Sequence, residues 1–403
     1  MIQTLALSGV VLFIGYGVRR LIRPLERVNI PAPVVGGLLV ATVTLVGWAR
    51  GMTLVKFDTT LQAPMMIAFF TSVGFAASLS LLRSGGPLVL LFFVFSTVVA
   101  ILQNVVGVGA ARLVGQPPLM GVLAGSVVLT GGPATGLAFA PQFEQAGVPA
   151  AATVAVAAAM AGIVSGGLIG GPIGTLLLGG RRPRTRSATP DFPDTAAQVV
   201  EDRMPEKVAA APAGEDVEAY LLLKNLVAIL VAMWVGSIIS RWFVAHQITL
   251  PAYIGAMLAA AAIRNFDDLT GIIGLSQRAI DDMGSVALSL FLVLALMTLQ
   301  LWQLAALAVP LAIMLAIQIA LVAAMAWPAY RLMGGGYDGA VIASGFCGFM
   351  LGTTANAMAN MEALVQRYGP SPKAFLVVPM VGAFFIDFTN AVIITGFLNW
   401  LGR

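Results

Sequence analysis

A chain of 403 residues that is 59% hydrophobic and only 10% charged is too apolar for a water-soluble domain and reads as a polytopic membrane protein, all helical. Its net charge of +4 comes mostly from arginines near segment ends, so it reports membrane orientation and makes no case for nucleic-acid binding. The one cysteine, Cys347, excludes an intrachain disulfide and argues against a zinc cluster, and the one histidine, His246, falls in a short loop; no enzyme and no cofactor are expected.

The first apolar run is followed, not preceded, by Arg19, Arg20, Arg23 and Arg27. That is the reverse of a cleavable signal peptide and fits a first helix with its N-terminus outside. Apolar segments near 3–18, 33–49, 64–82, 87–111, 119–140 and 150–178 fill a first half at 1–180. Residues 181–216, rich in Pro, Ala and charge, read as a cytoplasmic linker. Six more segments, near 217–244, 250–263, 284–301, 304–330, 339–364 and 374–400, fill a second half at 217–403.

One segment cannot be an ordinary membrane helix. Thr130, Gly131, Gly132 and Pro133 stand at the centre of the run 119–140. Proline removes a backbone donor there, and glycine adds freedom that a helix must freeze. Broken backbone at membrane depth survives only inside protein or beside a wet cavity. The segment therefore reads as a re-entrant hairpin at 119–142. Each arm reaches about half of a ~30 Å hydrocarbon core.

The second half repeats the first. Pro31-Ala32 resembles Pro251-Ala252, 66–82 corresponds to 285–301, and Gly121, Ser126, Thr135 and Glu144 fall opposite Gly339, Ser344, Thr353 and Glu362 at a shift of 218. The partner of the first hairpin is then a second one at 338–364, again rich in glycine and small polar residues. Positive charge decides whether the hairpins cross. With neither crossing, each half has five transmembrane helices, and 17 Lys and Arg lie inside against 5 outside. With both crossing, the clusters Arg19–Arg27 and Arg181–Arg186 would lie on opposite sides and the bias would largely vanish. Five crossings per half force the halves into opposite orientations. The expected architecture is two inverted repeats, each with a re-entrant hairpin, the site between them and both termini outside.

The runs GVLAGSVVLTGG, VSGGLIGGPIG at 164–174, PAPVVGGLLVA at 31–41 and above all FLVVPMVGAFFIDFTNAVII at 375–394 resemble the bacterial sodium/glutamate symporter family over nearly the whole chain. The resemblance implies sodium-coupled uptake of glutamate in the bacterial cytoplasmic membrane, with an elevator-like movement in a homodimer. The chain departs from the family at its signature loops. The family's SGGHGTG reads TGGPATG at 130–136, and its GHCGFGLGATPTAIANM reads GFCGFMLGTTANAMANM at 345–361. Pro133 and Phe346 thus replace histidines, and Phe346 and Met350 are expected to add apolar volume at the second tip.

Thr130, Gly131, Gly132 and Thr135 form the first candidate tip, where free amides can hold a substrate carboxylate; close helix packing is the plain alternative. Gly352, Thr353, Thr354 and Asn356 form the second, where hydroxyls and the amide can serve a carboxylate or sodium. Asp387 and Asn390 share a helix face one turn apart within the last segment. A carboxylate with an amide oxygen suits a monovalent cation, which the resemblance makes sodium; a buried pairing between helices is the alternative. Thr71, Ser72, Gln103, Asn104, Ser126, Ser344 and Asn360 are polar residues in apolar surroundings, readable as ligand contacts or as interhelical bonds. Proton coupling of another organic anion, with Asp387 as carrier, is the rival to sodium symport.

Overall fold

The computed structural model describes residues 1–22, 24–25, 29–52, 57–80, 86–179, 216–245 and 252–402. His246, Arg23, Arg27, Pro251 and the expected linker, apart from Asp216, lie outside these. Among the described residues there are helices and no strands. The first half contains α1 (Ile2–Leu21), α2 (Ala32–Ala49), α3 (Gln62–Ala76), α4 (Gly86–Leu113), α5 (Pro118–Val127), α6 (Gly132–Gln145) and α7 (Ala151–Leu177). The second contains α8 (Val217–Ala245), α9 (Ala252–Thr270), α10 (Gln277–Met297), α11 (Ala308–Leu332), α12 (Gly336–Leu351), α13 (Thr354–Tyr368), α14 (Pro372–Phe384) and α15 (Ile386–Leu401). Proline sits in the first turn of α2, α5, α6 and α14, where a missing N–H costs nothing.

Seven of the described helices are long and apolar enough to cross a membrane, and the bent pair α14–α15 makes an eighth. The two remaining expected crossings differ for local reasons. Helix α3 stops at Ala76 after 15 residues. Helix α9 ends in polar residues that are tied down: Arg264 Nε meets Asp268 Oδ1 at 2.9 Å. The Asp267 carboxylate accepts the amides of Ile273, Gly274 and Leu275 at 2.8–3.0 Å. The last segment, expected as one helix, is split at Phe385 and bent by 42°.

The helices sort into two bodies. The first three helices of each half, α1–α3 and α8–α10, pack on one another; α4–α7 and α11–α15 form the other body. Contacts between the bodies are sparse, and a cavity between them is lined by Gln62, Thr298, Gln300 and Gln303 on one side and Glu144 and Thr153 on the other. One of these contacts is made by Tyr253 of α9, which stacks on Phe70 of α3 at 4.3 Å and meets Phe139 of α6 edge-on at 5.4 Å. The largest apolar core lies mainly in the second body, around α5–α7 and α12–α15. Burying apolar side chains does not drive association inside a bilayer, so close packing must. Gly107 and Gly121 show how: a Cβ on either would fall within about 2.1 Å of the other's carbonyl oxygen, where α4 crosses α5.

Candidate functional site

The site lies where the two broken helical pairs meet. In α5 the last turn widens over Leu123–Val127, and Gly125 leaves helical geometry altogether at φ −98°, ψ −128°. Wide turns of this kind free backbone groups that need partners. Asn104 Oδ1 accepts the Ser126 N–H at 3.0 Å, and Asn390 Nδ2 donates to the Ser126 carbonyl at 2.9 Å. The same carbonyl also accepts the amides of Thr130 and Gly131, at 3.2 and 3.0 Å. One residue thus joins α4, the first hairpin and α15.

The chain turns at Thr130–Gly131. Thr130 Oγ1 donates to Gln103 Oε1 at 2.7 Å, and Gln103 Nε2 donates to the Met350 carbonyl of α12 at 2.8 Å. Gln103 therefore bridges the two hairpins. Its own carbonyl accepts Gln318 Nε2 of α11 at 2.6 Å. Gly132 adopts φ +71°, a conformation that favours glycine, and a Cβ there would meet only Gly352 O, at 3.8 Å. The tips face each other at these two glycines. Gly131 offers no side chain to cap α6, and Pro133 has no N–H. The first turn of α6 thus presents uncapped amides at its positive end. Thr135 is buried just behind them.

The second tip is finished differently. Helix α12 runs unbroken to Leu351, Gly352 turns, and Thr353 is extended. Thr353 Oγ1 caps α13 by accepting the Asn356 N–H at 3.3 Å. The arms are then bonded to α7. Asn356 Nδ2 donates to Ile163 O at 2.8 Å, Asn360 Nδ2 to Gly166 O at 2.9 Å, and Ser344 Oγ to Gly170 O at 2.9 Å. Asn356 Oδ1 is buried and without a partner. Thr354 packs on Gly382 of α14, where a Cβ would fall 2.6 Å from its hydroxyl.

Asp387 stands in the first turn of α15, one turn before Asn390, with no hydrogen-bond or ion-pair partner among the described residues. Asn390 is fully buried; its Oδ1, Ser126 Oγ and Asn104 Nδ2 are likewise unpartnered.

The structure thus brings together Thr130, Gly131, Gly132, Thr135, Gly352, Thr353, Thr354 and Asn356 at the tips, with Gln103 linking them. Asn104, Ser126 and Asn390 meet one turn deeper. Ser344 and Asn360 face α7 rather than the tips. Thr71 and Ser72 belong to the other body: their hydroxyls return to Ile67 O and Phe69 O, both at 2.7 Å, and Ser72 lies against Gly284 of α10. Phe346 also corrects an expectation. It lies in the arm, fully buried against Phe92 and Phe95 of α4 at 6.4 and 5.3 Å, and adds no volume at the tip. Two features escaped sequence reading. Gln318 looked like an ordinary polar residue in an apolar run. Gly162, Gly166, Gly170 and Gly174 share a face of α7, and their four-residue spacing was the signal available.

These observations define a polytopic helical membrane protein organised around an internal polar centre, with donors on one tip and an acceptor on the other. The family model described as "Sodium/glutamate symporter" matches residues 1–370. The chain is 39% identical over 405 residues to the sodium/glutamate symporter of Escherichia coli strain K12, covering 98% of this chain and 97% of that one. It is 40% identical over 396 residues to the Haemophilus influenzae sodium/glutamate symporter, covering 97% and 95%. Among solved structures, a sodium proton antiporter from Methanocaldococcus jannaschii aligns with 100% of this chain and 98% of its own, at 13% identity and a TM-score of 0.44. The chain belongs to the sodium/glutamate symporter family.

Proposed function

We infer that this chain carries glutamate, or a closely related small carboxylate, into the cell together with sodium, by alternating access between two inverted repeats. The observation that carries this is the meeting of the two tips, the first of them bonded to Asn390, one turn from Asp387. Uncapped amides at the start of α6 suit a carboxylate. The unpartnered oxygen of Asn356 suits the ammonium group of an amino acid. Asp387 and Asn390 Oδ1 offer oxygen to a sodium ion. The two halves share one order of elements, four helices, a broken pair and a final segment, which is one helix in the first half and the bent pair α14–α15 in the second; this order supports the repeat. The charge bias of 17 to 5 supports opposed re-entrant hairpins, a cytoplasmic linker and outside termini. The sparse contacts between the bodies support an elevator-like slide of the hairpin body along the other, which would carry the contacts of a homodimer. An unpaired carboxylate inside a membrane is also what a proton carrier would need, so proton coupling is the second reading.

The test is uptake of labelled glutamate into sealed vesicles holding the purified chain. A sodium gradient is expected to drive accumulation, and an imposed proton gradient alone is not. Accumulation driven by protons without sodium would overturn the reading. Cysteines in the 185–210 stretch should label only from the cytoplasm, and one at the C-terminus only from outside; labelling of both from one side would sink the inverted repeat.

A further inference from the structure

The two hairpins carry a serine at matching positions, and only one of the pair is satisfied. Ser344 Oγ donates to Gly170 O at 2.9 Å. Ser126, its counterpart at a shift of 218, is fully buried and its hydroxyl has no partner. Asn390 spends its amide nitrogen on the Ser126 carbonyl at 2.9 Å, which leaves its oxygen over at the same peptide. One turn earlier on α15 stands the Asp387 carboxylate, which has no partner among the described residues. Buried oxygens without partners carry a desolvation penalty that a bound ligand removes. Two of them, Ser126 Oγ and Asn390 Oδ1, meet here from two elements, and the Asp387 carboxylate stands one helical turn from the second.

We propose that the Ser126 hydroxyl is an oxygen ligand of the coupling cation, completing with Asn390 Oδ1 and the Asp387 carboxylate a sodium site on the kink of the first hairpin; this rests on the sodium-symport reading above. The chemistry is consistent throughout. Hydroxyl, amide and carboxylate oxygens suit a hard cation. A single carboxylate balances one positive charge. The leftover donor at the node, Asn104 Nδ2, suits a water that gives its second lone pair to the ion. The site would also couple the ion to the substrate. The Ser126 carbonyl accepts the amides of Thr130 and Gly131, so whatever steadies this peptide steadies the first tip. Linkage then makes sodium and substrate raise each other's affinity equally.

The test uses the full-length chain in proteoliposomes and in detergent. Ser126→Ala and Ser126→Cys remove the oxygen, and sulfur is a poor ligand for a hard cation. Both are expected to raise the half-saturating sodium concentration for glutamate uptake at least five-fold. Glutamate affinity at saturating sodium should stay within two-fold. Ser126→Thr, which keeps the hydroxyl, should restore most of the sodium response. Sodium-induced thermal stabilisation without substrate should shrink in the same two variants, and reads out even where transport is lost. Asp387→Asn separates this proposal from the reading beneath it. Unchanged sodium activation in Asp387→Asn would overturn the sodium site as a whole. Loss of activation in Asp387→Asn with unaltered sodium half-saturation in both Ser126 variants would overturn only the role of Ser126. A lower thermal midpoint with an unaltered sodium-induced shift in Ser126→Ala would do the same, and would assign the node to a buried water alone.

Discussion

The two broken helical pairs hold equivalent places in their halves and are fastened in opposite ways. The second is clamped. Three side chains, Ser344, Asn356 and Asn360, bond to carbonyls along α7, the glycines of α7 admit them, and Thr353 caps the turn. The first is suspended. Its arm is kinked at Gly125, its tip is uncapped, and its backbone is held at one residue by Asn104 and Asn390. A clamped hairpin moves with the helix it grips. A suspended one can change shape when its holders change partners, and one of them, Asn390, stands one turn from Asp387. The contrast assigns rigidity to the second tip and responsiveness to the first.

The largest expected effect comes from prising the clamp. A Cβ at Gly170 would lie 2.0 Å from Asn360 Nδ2, whereas Gly167 faces open space. Gly170→Val should therefore cost at least the ~1–3 kcal/mol typical of overpacking and sharply lower the yield of folded protein. Gly167→Val should be tolerated. Size-exclusion profiles and thermal midpoints decide this, and equal behaviour of the two variants would refute the glycine seam.

Next in size is release of the suspended hairpin. Asn104→Ala leaves the Ser126 amide without its acceptor, a loss of about 1–3 kcal/mol for a buried group. Hydrogen exchange should accelerate around Ser126 and stay unchanged around Ser344. Uniform acceleration in both hairpins would erase the distinction between them. Thr353→Ala is smaller: losing the cap of α13 should cost about 1 kcal/mol, and Thr353→Ser should recover most of it. A thermal midpoint unmoved by Thr353→Ala would mean that the cap contributes nothing to the second tip.

The smallest effect concerns specificity. Pro133 lies in the first turn of α6, at the suspended tip, while Phe346 is enclosed by Phe92 and Phe95. Pro133→His should shift competition against labelled glutamate by a few-fold. Phe346→His should lower stability without changing the order of competitors. The opposite pattern would move the ligand away from the first tip.

Local chemistry made much of this legible before any coordinates. Proline and glycine at the centre of 119–140 mark a broken segment because backbone rules act within a few residues. The spacing of Asp387 and Asn390 puts them on one face for the same reason. Composition alone names the bilayer as the solvent. Tertiary structure decided which of the buried polar residues matter together. Gln103, Asn104, Thr71 and Ser72 look alike in sequence, each a polar residue in an apolar helix. The fold sends the first two to the hairpins and the second two to the other body. Phe346 reads as a tip residue by its place in a motif, yet it is two turns short of the tip and packs on α4. The grip of α7 on the second hairpin joins residues nearly 200 positions apart. Such pairings depend on which helix faces meet, and close packing settles that only once all the helices are assembled.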